Sequence, residues 1–138
     1  MGAWGTGYFE DDAAFDFMAD VEESKNPKQT IQNAFQDALK ADYLECDQGN
    51  AVIVAAAYVD GQTNGTKFSS PERDEPLDID TFSERYPNYD FSGLKQMAGQ
   101  ALQKVLTDES ELKELWEETE EFEAWRDGVE KLIRRLNK

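Results

Sequence analysis

The chain has 138 residues, 39% of them apolar and 12% aromatic, which suffices for one domain with a real core and argues against wholesale disorder. Thirty acidic against 14 basic residues leave a net charge of −16, so a phosphate backbone or an anionic membrane surface is repelled and nucleic-acid binding is disfavoured. Histidine is absent, which removes Ser–His and Cys–His nucleophiles, histidine-ligated zinc and any histidine pH switch.

In chain order, residues 1–9 read as an N-terminal hook. Gly2, Gly5 and Gly7 alternate around Trp4, and Tyr8 and Phe9 follow as large apolar groups that seek a core. No strand precedes these glycines, no lysine follows them and Glu10, Asp11 and Asp12 stand at their exit, so the stretch lacks the pattern of a phosphate loop. A first helix is expected from Asp11 or Asp12, either of which suits a helix start. Ala14, Phe17, Met18 and Val21 then form its apolar stripe. Asn26-Pro27, with Gln29 three residues after Asn26, predicts a capping box opening a second helix. That helix carries Ile31, Ala34, Phe35, Ala38 and Leu39 and ends around Asp42.

Ala51–Val59 is an unbroken apolar run that periodicity alone leaves open between buried strand and buried helix. Asp47 as a cap, Gly61 as a stop and the lack of a partner strand favour a central helix wrapped by the others. Residues 61–91 read as a long connecting loop punctuated by Pro71, Pro76 and Pro87. Its Gly61–Glu75 part is expected to be mobile. Its second half is expected to pack down through Leu77, Ile79, Phe82, Tyr86, Tyr89 and Phe91, with a short helix near Asp80–Arg85. Ser92 is expected to cap a helix with Leu94, Met97, Ala98, Ala101, Leu102 and Val105 inside. Asp108 and Glu111 resemble a capping pair before Leu112, Leu115 and Trp116. Phe122, Trp125, Val129, Leu132, Ile133 and Leu136 trace the inner face of a terminal helix whose Lys131, Arg134, Arg135 and Lys138 complement its negative end.

No run reaches the roughly 18 apolar residues of a membrane span. Met1-Gly2-Ala3-Trp4 lacks the basic start and apolar core of a secretory signal. Cys46 is the single cysteine, so the chain has no internal disulfide framework, which is compatible with a reducing cytoplasm. Its neighbours Glu45 and Asp47 oppose thiolate formation, which argues against a reactive nucleophile.

Three constellations bear on function. Glu10, Asp11, Asp12, Asp16 and Asp20 offer carboxylates in helical steps, with Asp12, Asp16 and Asp20 as the candidate ligands for a divalent cation or for hydrolytic chemistry. The simpler reading is that Asp11 and Asp12 cap while the rest are solvated. Trp4, Gly5, Gly7, Phe9, Asp11 and Asp12 form the structural motif of the hook. The acidic ridge Asp108–Glu123, with Glu111, Glu114, Glu117, Glu118 and Glu121 as its candidate contact residues, is read as a solvated face or as a docking surface for a basic protein.

The opening Gly2-Ala3-Trp4-Gly5-Thr6-Gly7-Tyr8-Phe9-Glu10-Asp11-Asp12-Ala13-Ala14-Phe15-Asp16-Phe17 resembles the signature of the DUF4259 family, a domain of unknown function. Asp108-Glu109-Ser110-Glu111-Leu112-Lys113-Glu114-Leu115-Trp116-Glu117-Glu118, followed by Trp125, is similar to that family's C-terminal pattern. Glu10-Asp11-Asp12 departs from the Asn-Asp-like pair of many relatives, which keeps a capping role and weakens any amide-specific one. The resemblance implies a bacterial, mostly helical, single-domain protein and implies no activity.

The combined expectation is an all-α single domain over residues 1–138, with five or six helices around a central apolar helix and the hook at one end. Functionally, the sequence is read as a non-enzymatic cytoplasmic interaction domain, immunity- or inhibitor-like towards a basic protein, with no cofactor. The alternative is a carboxylate-based divalent-metal or hydrolytic site at Glu10–Asp20.

Overall fold

The structure, a computed structural model, describes residues 12–68 and 78–137, and its regular elements there are all helical. In chain order they are α1 (Asp12–Glu23), α2 (Pro27–Lys40), α3 (Cys46–Asn64), α4 (Asp78–Arg85), a 3-10 turn (Ser92–Leu94), α5 (Lys95–Val105), α6 (Glu111–Glu117) and α7 (Phe122–Leu136). Among the described residues there are seven α-helices against the five or six expected, with the short α4 overlapping the expected Asp80–Arg85 helix and α6 and α7 separate. The hook residues Trp4, Gly5, Gly7, Phe9 and Asp11 lie outside the described residues.

The uniformly apolar run decides the architecture. Every residue from Val52 to Asp60 is buried, and α3 packs against each of the other α-helices. A helix apolar on all faces has no side to offer water, so its neighbours must enclose it. Its boundaries lie outside the expected ones. Glu45, not Asp47, is the cap residue, and its N–H donates to Gln48 Oε1 at 3.0 Å. At the other end the helix runs through Gly61 to Asn64 and stops at Gly65, whose φ of 74° is left-handed and whose N–H donates to Gly61 O at 3.0 Å. A glycine adopts that conformation without the steric cost a side chain brings.

The amphipathic helices follow their stripes. Ala14, Met18 and Val21 of α1 are buried, while Phe17 is half-buried. Asn26 Oδ1 accepts the Gln29 N–H at 3.3 Å, with Pro27 first in α2. The reciprocal half of the expected capping box is missing: the Gln29 amide donates to Asn33 Oδ1 at 2.8 Å, and the Asn26 N–H goes to Ser24 Oγ at 3.0 Å. Ile31, Phe35 and Ala38 are buried, whereas Leu39 is exposed and α2 ends at Lys40. The Lys104 ammonium donates to Ala41 O just beyond that end, where free carbonyls and the dipole favour a cation.

Residues 61–91 are not one long connection. Residues 61–64 belong to α3, α4 begins at Asp78, and residues 69–77, which include the second half of the stretch read as mobile, lie outside the described residues. Asp80 of α4 holds the segment that follows α3, its Oδ1 accepting the Phe68 N–H at 2.7 Å and its carbonyl accepting from Lys67 Nζ at 2.7 Å. Phe82 and Phe91 are fully buried, and Phe82 lies 5.2 Å from Tyr58 edge-on and 5.8 Å from Phe91 in a stacked arrangement. Gln62 ties the turn to α3 by donating to Tyr86 O and Tyr89 O at 3.0 and 2.9 Å. Ser92 opens the 3-10 turn rather than capping a helix, its N–H donating to Asp90 Oδ1 at 2.9 Å, and α5 starts only at Lys95. Beyond α5, Leu112 and Trp116 of α6 and Trp125, Val129, Leu132 and Leu136 of α7 complete the core.

No helix among the described residues is long and apolar enough to cross a membrane.

Candidate partner-binding surface

The acidic ridge is built by α6, the turn after it and the start of α7. Ser110, not Asp108, caps α6: its Oγ accepts the Lys113 N–H at 3.3 Å. Asp108 instead takes the Lys113 ammonium at 2.7 Å, with Glu117 3.6 Å from the same ammonium. The bond to Lys113 holds Asp108 below the ordinary carboxylate range, and the same bond raises Lys113. Lys113 is the only cation in the sequence between Asp108 and Glu123.

A second set of contacts fastens α6 to the start of α3. Leu44 and Ser110 form an isolated parallel bridge, in which the Leu44 N–H donates to Glu109 O at 2.7 Å and the Glu111 N–H to Leu44 O at 2.8 Å. Glu111 Oε1 then accepts the Cys46 N–H at 2.8 Å. Cys46 is the first residue of α3, so this carboxylate satisfies one of the free N–H groups that every helix start leaves open, and it sits at the positive end of the dipole. One turn on, Glu114 Oε2 accepts the Tyr43 hydroxyl at 2.6 Å. That bond, reinforced by the nearby charges of Glu114 and Glu111, pushes the Tyr43 phenol up to about 12. Leu112 packs beneath against Gly49, where a Cβ would come within 3.1 Å of its side chain, so the glycine permits the close approach.

The remaining acids face water. Glu117, Glu118, Glu120, Glu121 and Glu123 are all exposed. Thr119 shapes the turn that presents them: its N–H and hydroxyl both donate to Trp116 O, at 2.9 and 2.8 Å, and its Oγ1 accepts the Glu121 N–H at 3.2 Å. Under the turn Trp116 and Trp125 stack with ring centroids 6.2 Å apart and planes at 14°, both buried. Glu121 and Glu123 also suit the positive start of α7. The basic residues at the far end of α7 lie roughly 20 Å away at 1.5 Å per residue. That is about twice the screening length at 0.1 M salt, so they do little to neutralise this corner.

The candidate residues of the ridge therefore divide. Glu111 and Glu114 are engaged with Cys46 and Tyr43, Glu117 borders Lys113, and Glu118 and Glu121 stand outward with Glu120 and Glu123. The sequence reading omitted Tyr43 and the Cys46 backbone, since neither contact follows from spacing along the chain. It also missed a buried ion pair. Asp60 on α3 is wholly buried, its Oδ2 accepting from Arg135 Nε at 2.7 Å and its Oδ1 from Asn64 Nδ2 at 2.7 Å. An acid closing an apolar run is a readable signal, because a buried charge requires a partner.

Of the other candidate set, Glu10 and Asp11 lie outside the described residues. Asp12, Asp16 and Asp20 are exposed along one side of α1. Among the described residues no group of three or more His, Cys, Asp or Glu side chains is placed to hold a metal ion.

No curated protein and no solved structure matches the chain. A family model described as a domain of unknown function (DUF4259) matches residues 2–128, nearly the full length, and the chain belongs to that family.

Proposed function

We propose that this protein is a non-enzymatic interaction domain of the bacterial cytoplasm that docks on a basic protein, in the manner of an immunity or inhibitor protein. The observation that supports the reading is the division of the ridge. Glu111 and Glu114 secure the scaffold, while Glu118, Glu120, Glu121 and Glu123 extend from a turn held by two buried tryptophans. Acids clustered at one corner of a protein with net charge −16 steer a cationic surface and favour it over an anionic one. The contact residues of this reading are Glu117, Glu118 and Glu121 together with Glu120 and Glu123, with Glu111 and Glu114 as their support.

The test is affinity capture from the host's own lysate at low salt, with three baits of equal helicity by circular dichroism. Wild type and an α1 control, Asp12→Lys/Asp16→Lys/Asp20→Lys, should recover the same basic protein. Glu118→Lys/Glu120→Lys/Glu121→Lys should lose it, and raising the salt should elute it from wild type. Recovery of only acidic proteins, or equal recovery by all three baits, overturns the reading. The divalent-metal reading of Asp12, Asp16 and Asp20 has a separate test: saturable heat with Mg²⁺, Mn²⁺ or Ca²⁺ that Asp12→Ala and Asp16→Ala abolish would establish it in place of the docking surface.

A further inference from the structure

We draw no further inference here: the strongest candidate, the open groove of about 480 Å³ that Gln96, Gln100, Gln103 and Asn137 line between α5 and the end of α7, offers amides that suit many occupants, and nothing in the structure shows what covers it.

Discussion

Two acidic stretches of this chain look alike when written out and behave differently when folded. Along α1, Asp12, Asp16 and Asp20 all meet solvent. Along α6, Glu111 and Glu114 reach back to the segment between α2 and α3 and bond there, at 2.8 Å to the Cys46 N–H and 2.6 Å from the Tyr43 hydroxyl. The difference is what stands opposite. α6 lies beside the start of a buried helix, whose first N–H groups have no acceptor within the helix and whose dipole end is positive, whereas the outer side of α1 faces water. A carboxylate's role is thus set by the donors that tertiary packing brings to it, and Asp60, sealed in the core with Arg135, marks the extreme of the same rule.

That contrast can be broken or sharpened in order of expected effect. Arg135→Met should cost the most, about 3 kcal/mol by urea denaturation, because it leaves the fully buried Asp60 carboxylate without its cation. The value belongs at the lower end of the range for buried pairs, since the Arg135 side chain is still 28% exposed. Equal stability of Arg135→Met and wild type would show that Asp60 does not depend on that partner. Glu111→Ala should cost about 1 kcal/mol, typical of a lost helix cap, with faster amide exchange at Cys46. Its counterpart Asp16→Ala should stay within about 0.5 kcal/mol of wild type, as exposed substitutions do. If the two variants are indistinguishable, the distinction between the stretches fails.

A smaller effect is spectroscopic. Tyr43 should ionise near 12 in a phenolate absorbance titration, and Glu114→Gln should bring it back towards 10, because a neutral amide no longer opposes the phenolate. The sign for stability follows from the raised value: the Tyr43–Glu114 bond contributes fully below the unfolded value of 10.0 and is lost as pH rises through about 12. At the acid end, Asp108, held low by Lys113, contributes above its ordinary range, and that contribution disappears as pH falls through its depressed value. Since Asp108 is almost wholly exposed, Asp108→Asn should move the melting temperature little, close to the Asp16→Ala control.

Much of the fold was legible in the residues for reasons that are local. Helical spacing placed Ile31, Phe35 and Ala38 of α2 and Val129, Leu132 and Leu136 of α7 inside, because a one-sided stripe has only one low-energy way to face a core. Asn26-Pro27 marked the start of α2 through the stereochemistry of proline and a short polar side chain. The ends of α3 were less legible. Asp47 and Gly61 were plausible boundaries, but an apolar helix enclosed by its neighbours continues as long as packing stabilises it, here to the left-handed Gly65. The capping pair assigned to Asp108 and Glu111 was misplaced for a related reason: Ser110 took the cap, and both acids found partners that spacing does not reveal.

By itself the sequence determined that the chain is helical, that Ala51–Val59 lies at its centre and that the surplus charge is negative, since periodicity, propensity and composition act over a few residues or over the whole chain. Only the tertiary structure decided which acids are bonded to other parts of the protein and which are left to solvent. That choice depends on donors such as Cys46, Tyr43 and Arg135, which lie 65, 71 and 75 residues away along the chain from the carboxylates they meet.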